Sequence, residues 1–175
     1  MKIVEIDASS PLLEEVRAIN EAPFPDVERM PIEVMFTFPI DTDLLGFFHE
    51  DHLVGFSLIL KNSTTVFVVL FAIDRQHRGK GYGSAAIQQI KARYGGKQVV
   101  LDFEEIADGA ANYDQRVARK RFYLRNGFHE TGHFTVLFGD KYEVVCSEET
   151  LDKVGLQSIL TAIHQHTPCF EEQLI

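Results

Sequence analysis

Cysteine is scarce in this chain: Cys146 and Cys169 are the only two in 175 residues. Two unpatterned cysteines exclude a disulfide framework and a cysteine-based zinc site. They read as free thiols of a reducing, cytoplasmic setting. Long apolar runs are missing as well. Nothing approaches the roughly 20 apolar residues of a membrane helix, and no charged-then-apolar signal pattern opens the sequence, so no membrane partner is expected. No group of ligating side chains has metal spacing, and no metal is expected. Internal repeats, linkers and low-complexity stretches are absent too. A single domain over residues 1–175 is therefore expected, long enough to bury a core without staples. Asn62-Ser63-Thr64 matches a glycosylation acceptor, but so short a match arises by chance.

Basic residues are in deficit. The formal net charge of −9 argues against nucleic acid as a partner. Its distribution is more informative than its sum. Residues 75–125 hold eleven Lys and Arg against five Asp and Glu, whereas the rest of the chain holds six against twenty-one. A basic centre in an acidic body suits a compact anionic ligand bound at that centre, and the plainer reading is a set of solvated helix faces.

The pattern of elements is α/β. Lys2–Ile6 reads as a strand, and Pro11 to Ala22 as a helix capped by Ser9 or Ser10 with Leu12, Leu13, Val16 and Ile19 on its apolar face. Pro23 and Pro25 break it. Asp26–Phe38 reads as a short helix and a loop. Leu44–His49, Leu53–Leu60 and Val66–Ile73 form a three-strand meander with polar turns at 50–52 and 61–64. After a helix comes the strand Gln98–Phe103, implying a parallel crossover. A polar loop from Glu104 leads to a helix over Gln115–Arg125, capped by Asn112 or Asp114 and stopped by Asn126-Gly127. Phe128–His133 and Phe134–Phe138 are strand material, and Gly139-Asp140 turns the chain into Tyr142–Cys146. A final helix is expected to start at Ser147 with Glu148 and Glu149 behind it, and to bury Leu156, Ile159, Leu160 and Ile163.

The most informative stretch is Val66–Tyr94: a buried strand, the turn RQHRGKGYGS, and a helix whose Gly83, Ile87, Ile90 and Tyr94 share one face. Gly79, Gly81 and Gly83 alternate with Lys80 and Tyr82 behind Arg78. A turn so poor in side chains lets backbone N–H groups converge at the positive end of a helix dipole, which makes a phosphate cradle. The spacing fails the G-x-x-x-x-G-K-[ST] phosphate loop. A dinucleotide fingerprint, with Asp102 as its acid, is the closer rival, but its glycines follow the strand directly. Here Asp74–Arg78 intervene.

R-x-x-G-x-G (Arg78, Gly81, Gly83), placed between an apolar strand and an amphipathic helix, resembles the acyl-coenzyme A motif of the GCN5-related N-acetyltransferases (GNAT). A second stretch agrees: RKRFYLRNGF, Arg119 to Phe128, is similar to the family's helix with an aromatic-Tyr pair followed by Gly-Phe. The resemblance spans about residues 2–146 and leaves 147–175 as a C-terminal helical extension. It implies a mixed, largely antiparallel sheet flanked by helices, and transfer of an acetyl group from acetyl-coenzyme A to an amine, without a metal.

Carried over by position, backbone groups of Phe71 and Ile73 would pair with the pantetheine amides like an added strand. The N–H groups of Gly79, Lys80, Gly81, Tyr82, Gly83 and Ser84 would hold the pyrophosphate. Arg78 and Lys80, with Arg75 or Arg119, would neutralise its charge. Tyr123 falls in the slot of the tyrosine that protonates or hydrogen-bonds the departing thiolate. Glu104 and Asp102, with Glu28 or Glu33 behind them, are the candidates to take the amine's proton. His49, His52 and His77 fall where surface turns are expected and are not candidates. Where family helices often carry Asn seven residues before the tyrosine, this chain has Arg116, with Asn112 further upstream; Arg116 would then serve a phosphate.

Acceptor pockets of this family are built from early helices and loops, here about 22–40. The acidic remainder of the chain favours a cationic amine. For the C-terminal extension three roles stand open: covering the pocket, packing on the sheet, or making a homodimer. The rival functions are an NAD(P)-dependent oxidoreductase and a non-catalytic acyl-coenzyme A module.

Overall fold

The computed structural model of the chain describes residues 1–21, 31–137, 139–166 and 174–175. The expected break at Pro23 and Pro25, the candidate Glu28 and much of the 22–40 region therefore lie outside the described residues. Seven strands form a mixed, mostly antiparallel sheet in the order β1-β2-β3-β4-β5-β7-β6, accompanied by five α-helices among the described residues. The strands are β1 Lys2–Glu5, β2 Asp41–His49, β3 His52–Lys61, β4 Thr65–Ile73, β5 Gln98–Glu104, β6 His129–Leu137 and β7 Asp140–Cys146. The helices are α1 Leu13–Glu21, α2 Ile32–Met35, α3 Tyr82–Arg93, α4 Tyr113–Arg125 and α5 Lys153–His166.

By its contacts the chain divides into two compact units, Met1–Leu60 with Val68–Arg93, and Lys61–Phe67 with Tyr94–Ile175. In the first unit, β1 runs antiparallel to β2 with Ile3 opposite Phe47. β3 buries a continuous run from Leu53 to Leu60, the signature of a strand covered on both faces. Ala86, Ile87 and Ile90 of α3 are fully buried, as the helical spacing predicts. Gly55 sits where no side chain fits. A Cβ there would lie 2.4 Å from the Ala72 carbonyl oxygen, so this glycine lets β3 and β4 approach closely.

The second unit is built on β5, which pairs antiparallel with β7 (Asp102 opposite Val144, Glu104 opposite Tyr142), and β7 pairs in turn with β6. Two expected segments, Phe128–His133 and Phe134–Phe138, are continuous as the single strand β6 from His129 to Leu137, with an irregularity between Glu130 and Phe134; Phe138 lies outside the described residues. Gly132 takes a positive φ of 71° there, and the Thr131 hydroxyl donates to the Val144 carbonyl, which keeps the strand in the sheet. Ile175 exchanges both backbone hydrogen bonds with Phe134, at 2.8 and 2.9 Å.

The last helix starts later than the sequence suggests. Ser147 is still engaged with β5: its N–H donates to the Val99 carbonyl and its hydroxyl accepts from the Val99 N–H, both at 2.8 Å. Asp152 is the true cap, its carboxylate accepting the Gly155 N–H at 3.1 Å. That bond comes first among those that lower the Asp152 pKa, followed by one from the Thr64 hydroxyl. Gly155, buried in α5, allows the docking: a Cβ there would lie 2.3 Å from the Thr65 hydroxyl oxygen. Gln98 completes the junction. Its side-chain N–H groups donate to Thr65 and to the Asp152 carbonyl, and its oxygen accepts from Asp152 N–H and the buried Cys146 thiol.

Smaller differences concern caps. Asn112 occupies the N-cap position of α4 but its side chain makes no cap bond. Ser10, not Ser9, accepts the first N–H ahead of α1, from Leu12, because Ser9 is held by Asp7.

Candidate functional site

In the first unit, β4 ends at Ile73 and the chain turns through a single 3-10 turn, Arg75–His77, before the glycines. Asp74 fixes that turn, accepting the His77 N–H on its carbonyl at 2.9 Å and bonding the His77 ring on its carboxylate at 2.7 Å. This is the five-residue spacer that separates the loop from a dinucleotide fingerprint. Gly79 and Gly81 then adopt φ values of 75° and 84°, with nothing within 4 Å of a built Cβ at either. Their requirement for glycine is thus conformational rather than steric. Left-handed residues flanking Lys80 curl successive N–H groups inward into a concave nest that suits an anion. Ala85 donates to the Gly81 carbonyl at 3.1 Å, which starts the ladder of α3. The earlier amides, from Gly79 to Ser84, sit at its positive end.

Arg78, Lys80 and Arg75 are exposed around this nest. Arg78 is held in place by its Nε, which donates to the Ile73 carbonyl at 3.0 Å. Tyr82 packs its ring against His49 at 4.9 Å and His77 at 6.0 Å, so both histidines flank the start of α3. Phe71 packs on the Phe47 ring at 5.9 Å. The residues present fit a diphosphate-bearing ligand: backbone donors at a helix start, with the exposed cations Arg75, Arg78 and Lys80 beside them.

In the second unit, Tyr123 lies on α4, buried, with its ring stacked on Phe103 at 5.5 Å and 18°, edge-on to Phe122 at 5.2 Å and to Phe128 at 5.9 Å. The Tyr-x-x-x-Gly-Phe spacing has a geometric cause. Gly127 is left-handed (φ 77°), its N–H donates to the Leu124 carbonyl, and the Phe128 N–H reaches back to the Tyr123 carbonyl. This is a Schellman helix end with its customary apolar contact, here Phe128 on Tyr123. The motif therefore locks the tyrosine ring in place. Burial pushes its phenol up to about 12; the nearby Arg119 guanidinium pulls the other way, and the Asp102 charge adds to the rise. Tyr123 keeps its proton at neutral pH and so enters a reaction as a proton donor.

Glu104 ends β5 under a set of donors. Its carboxylate accepts from Asn112 Nδ2 at 3.0 Å and pairs with Arg116 at 3.0 Å and Arg119 at 2.8 Å. Arg116 also donates to the Asn112 side chain and to the Glu105 carbonyl. Two residues earlier, Asp102 is half-buried and accepts the Thr135 hydroxyl at 2.5 Å. Burial pushes its carboxyl up to about 6 against the pull of that hydroxyl. Glu33, on α2 in the first unit, is paired with Arg17 at 3.0 Å.

So the nest residues, Arg78 and the end of β4 fall together in one unit, and Tyr123, Glu104 and Asp102 in the other. Sequence reasoning missed the ring of Asn112, Arg116 and Arg119 around Glu104, and missed Thr135 altogether. The first is half visible as Asn112, Arg116 and Arg119, spaced four and three residues apart ahead of Tyr123. Thr135 had no signal, because its partner lies two strands away. Among the described residues no group of His, Cys, Asp and Glu is arranged to hold a metal ion. None of the helices among the described residues is long and apolar enough to cross a membrane.

A nest at the start of the helix after β4, and a buried tyrosine on the next helix of a mostly antiparallel sheet, define a class: acyl-coenzyme A-dependent acyltransferases. A family model described as "Acetyltransferase (GNAT) domain" matches residues 43–130. The chain belongs to the GNAT acetyltransferase family and is an acetyl-coenzyme A-dependent acyltransferase. Among solved structures it is similar to a GNAT-family protein from Bacteroides thetaiotaomicron, with 19% identity, 94% of this chain and 97% of that one covered, and a TM-score of 0.76. It is also similar to the aminoglycoside 6'-N-acetyltransferase from Enterococcus faecium, with 17% identity, 83% and 96% covered, and a TM-score of 0.62. A third is Arabidopsis thaliana Naa50 in complex with the bisubstrate analogue CoA-Ac-MVNAL, with 16% identity, 85% and 99% covered, and a TM-score of 0.58. These likenesses concern the fold. No curated protein matches the sequence.

Proposed function

We propose that residues 1–175 act as a single domain that transfers the acetyl group of acetyl-coenzyme A to the primary amine of a small molecule or peptide. The observation that carries this reading is the left-handed pair Gly79 and Gly81 at the start of α3, within the matched family region. In this reading the N–H groups of Gly79 to Ser84 hold the diphosphate, with Arg78 and Lys80 neutralising its charge. Phe71 and Ile73 lend backbone groups to the pantetheine arm. Tyr123 donates to the departing sulfur. Glu104, ringed by Asn112, Arg116 and Arg119, holds two guanidinium groups in place on α4. Much of the rate comes from bringing two substrates together.

A cationic acceptor is favoured by the acidic body of the chain. The named relatives act on an aminoglycoside or carry a peptide analogue, so both kinds belong in the test. A cytoplasmic setting agrees with use of acetyl-coenzyme A.

Two measurements decide the reading. Calorimetry should show acetyl-coenzyme A binding; silence there, with tight binding of NAD, would overturn it in favour of an oxidoreductase. Thiol release should then rise with at least one amine among spermidine, kanamycin, lysine amide and the peptide Met-Val-Asn-Ala-Leu. Binding without release across the panel would make the chain a sensor of the coenzyme. Sedimentation would test whether the chain forms a homodimer.

A further inference from the structure

We propose that Asp102 is the residue that takes the proton from the acceptor's ammonium nitrogen, and that Thr135 is a positioning residue holding its carboxyl. This rests on the reading of the chain as an amine acetyltransferase.

β5 carries two carboxylates on one sheet face, Asp102 and Glu104, and their surroundings differ. Glu104 has committed lone pairs to three donors, two of them guanidinium groups. The one lone-pair site left, on Oε2, would put an incoming ammonium beside two guanidinium cations. Asp102 has one side-chain partner among the described residues, the Thr135 hydroxyl, besides its own backbone N–H. That bond fixes Oδ2 and leaves lone pairs for a new donor. Thr135 is itself fully buried, so its hydroxyl has nowhere else to turn. Asp102 is half-buried, not sealed in the core as Thr135 is.

The groups around Asp102 are consistent with this role. From α4 come Tyr123, whose phenol feels the Asp102 charge, and Arg119, which is held by Glu104. β7 contributes Tyr142 on the same sheet face, opposite Glu104, while β6 presents the neutral Thr135. No cation among the described residues bonds the Asp102 carboxylate, so an ammonium ion would be its first. The proton count closes. The ammonium N–H passes one proton to Asp102, and the freed lone pair forms the C–N bond as the C–S bond breaks. The sulfur takes the Tyr123 proton, the nitrogen returns one to Tyr123, and Asp102 releases its own to solvent.

A carboxyl raised to about 6 must lose its proton to work, so the rate should rise through pH 6. The same shift costs stability. The folded state holds a proton that the unfolded state has lost between about pH 4 and 6, so stability falls as pH rises through that window. Function and stability therefore oppose each other at this residue.

The test uses the full chain, acetyl-coenzyme A and whichever panel amine is turned over. Asp102→Asn should lower kcat by about 100-fold at pH 7 and abolish the limb near pH 6, with acetyl-coenzyme A affinity unchanged. It should also raise the melting temperature at pH 8, by less at pH 5, and leave it little changed below pH 4. Thr135→Val should move the limb to higher pH, because a bond that lowers the carboxyl pKa is lost. Glu104→Gln should keep the limb. If Asp102→Asn retains the limb, or melts lower than the parent at pH 8, the assignment is wrong and Asp102 is structural. If the parent protein turns over no amine in the panel, the acetyl-transfer reading falls and the assignment falls with it.

Discussion

Tyr123 illustrates how far local spacing reaches. Its slot was legible because everything that fixes it lies within six residues: the helix, Gly127 in the left-handed region, and Phe128 folded back on the ring. The same holds for Gly79 and Gly81. Asp102 and Glu104 were visible as end-of-strand acids, but the difference between them was not. It depends on Arg116 and Arg119 one helix away, and on Thr135, thirty-three residues on in sequence, which only the register of β5, β7 and β6 brings near. At this scale the phenol gives a direct prediction. Tyr123→Phe should lower thiol release by roughly 100-fold with acetyl-coenzyme A affinity preserved. Because the phenol lies at about 12, the loss should be uniform from pH 6 to 10. An unchanged rate across that range would remove Tyr123 from the chemistry.

Among the elements, strands and helices with clean apolar periodicity were placed to within a few residues, including β3, β4, α3 and β5. Failures came where a backbone irregularity or a cross-strand bond outweighed local pattern. The sequence pattern divides β6 between His133 and Phe134, at one end of the irregularity, yet the Thr131 side chain carries the pairing across it. The start of α5 was set too early because Ser147 and two acids imitate a helix start, while Ser147 is occupied by Val99. The helix end below Tyr123 makes a prediction at this scale. Gly127→Ala should destabilise the protein by about 1 kcal/mol, since Ala must hold a left-handed conformation at the Schellman position. Urea denaturation measures it. No change in midpoint would show that the cap does not limit stability. Lys120, bonded to both Glu130 and Glu143, also ties α4 to β6 and β7.

For the whole molecule, segregation of charge is the legible feature: a basic stretch over residues 75–125 in a chain of net charge −9. Much of that excess is exposed at Arg75, Arg78 and Lys80, beside the nest. Acetyl-coenzyme A binding should therefore weaken several-fold between 50 and 500 mM salt by calorimetry, because exposed cations are screened over about 10 Å or less. Affinity indifferent to salt would assign the binding to backbone groups alone. The acceptor stayed illegible for a physical reason: its recognition depends on shape, and the residues expected to supply that shape follow no chemical pattern comparable to the glycines of the donor loop.

The Gln98 side chain bears on how the chain could be cut. Its four hydrogen bonds join β5 to Thr65, Cys146 and the Asp152 backbone, while Asn62 and Thr64 reach Gly155, Ser158 and Asp152. Removing α5 would orphan several of these polar groups and take away the buried side chains of Leu156, Ile159, Leu160 and Ile163. A truncated 1–146 fragment should then be insoluble, or melt far below the parent in a thermal-shift assay. A fragment that melts like the parent would show that the core stands without α5.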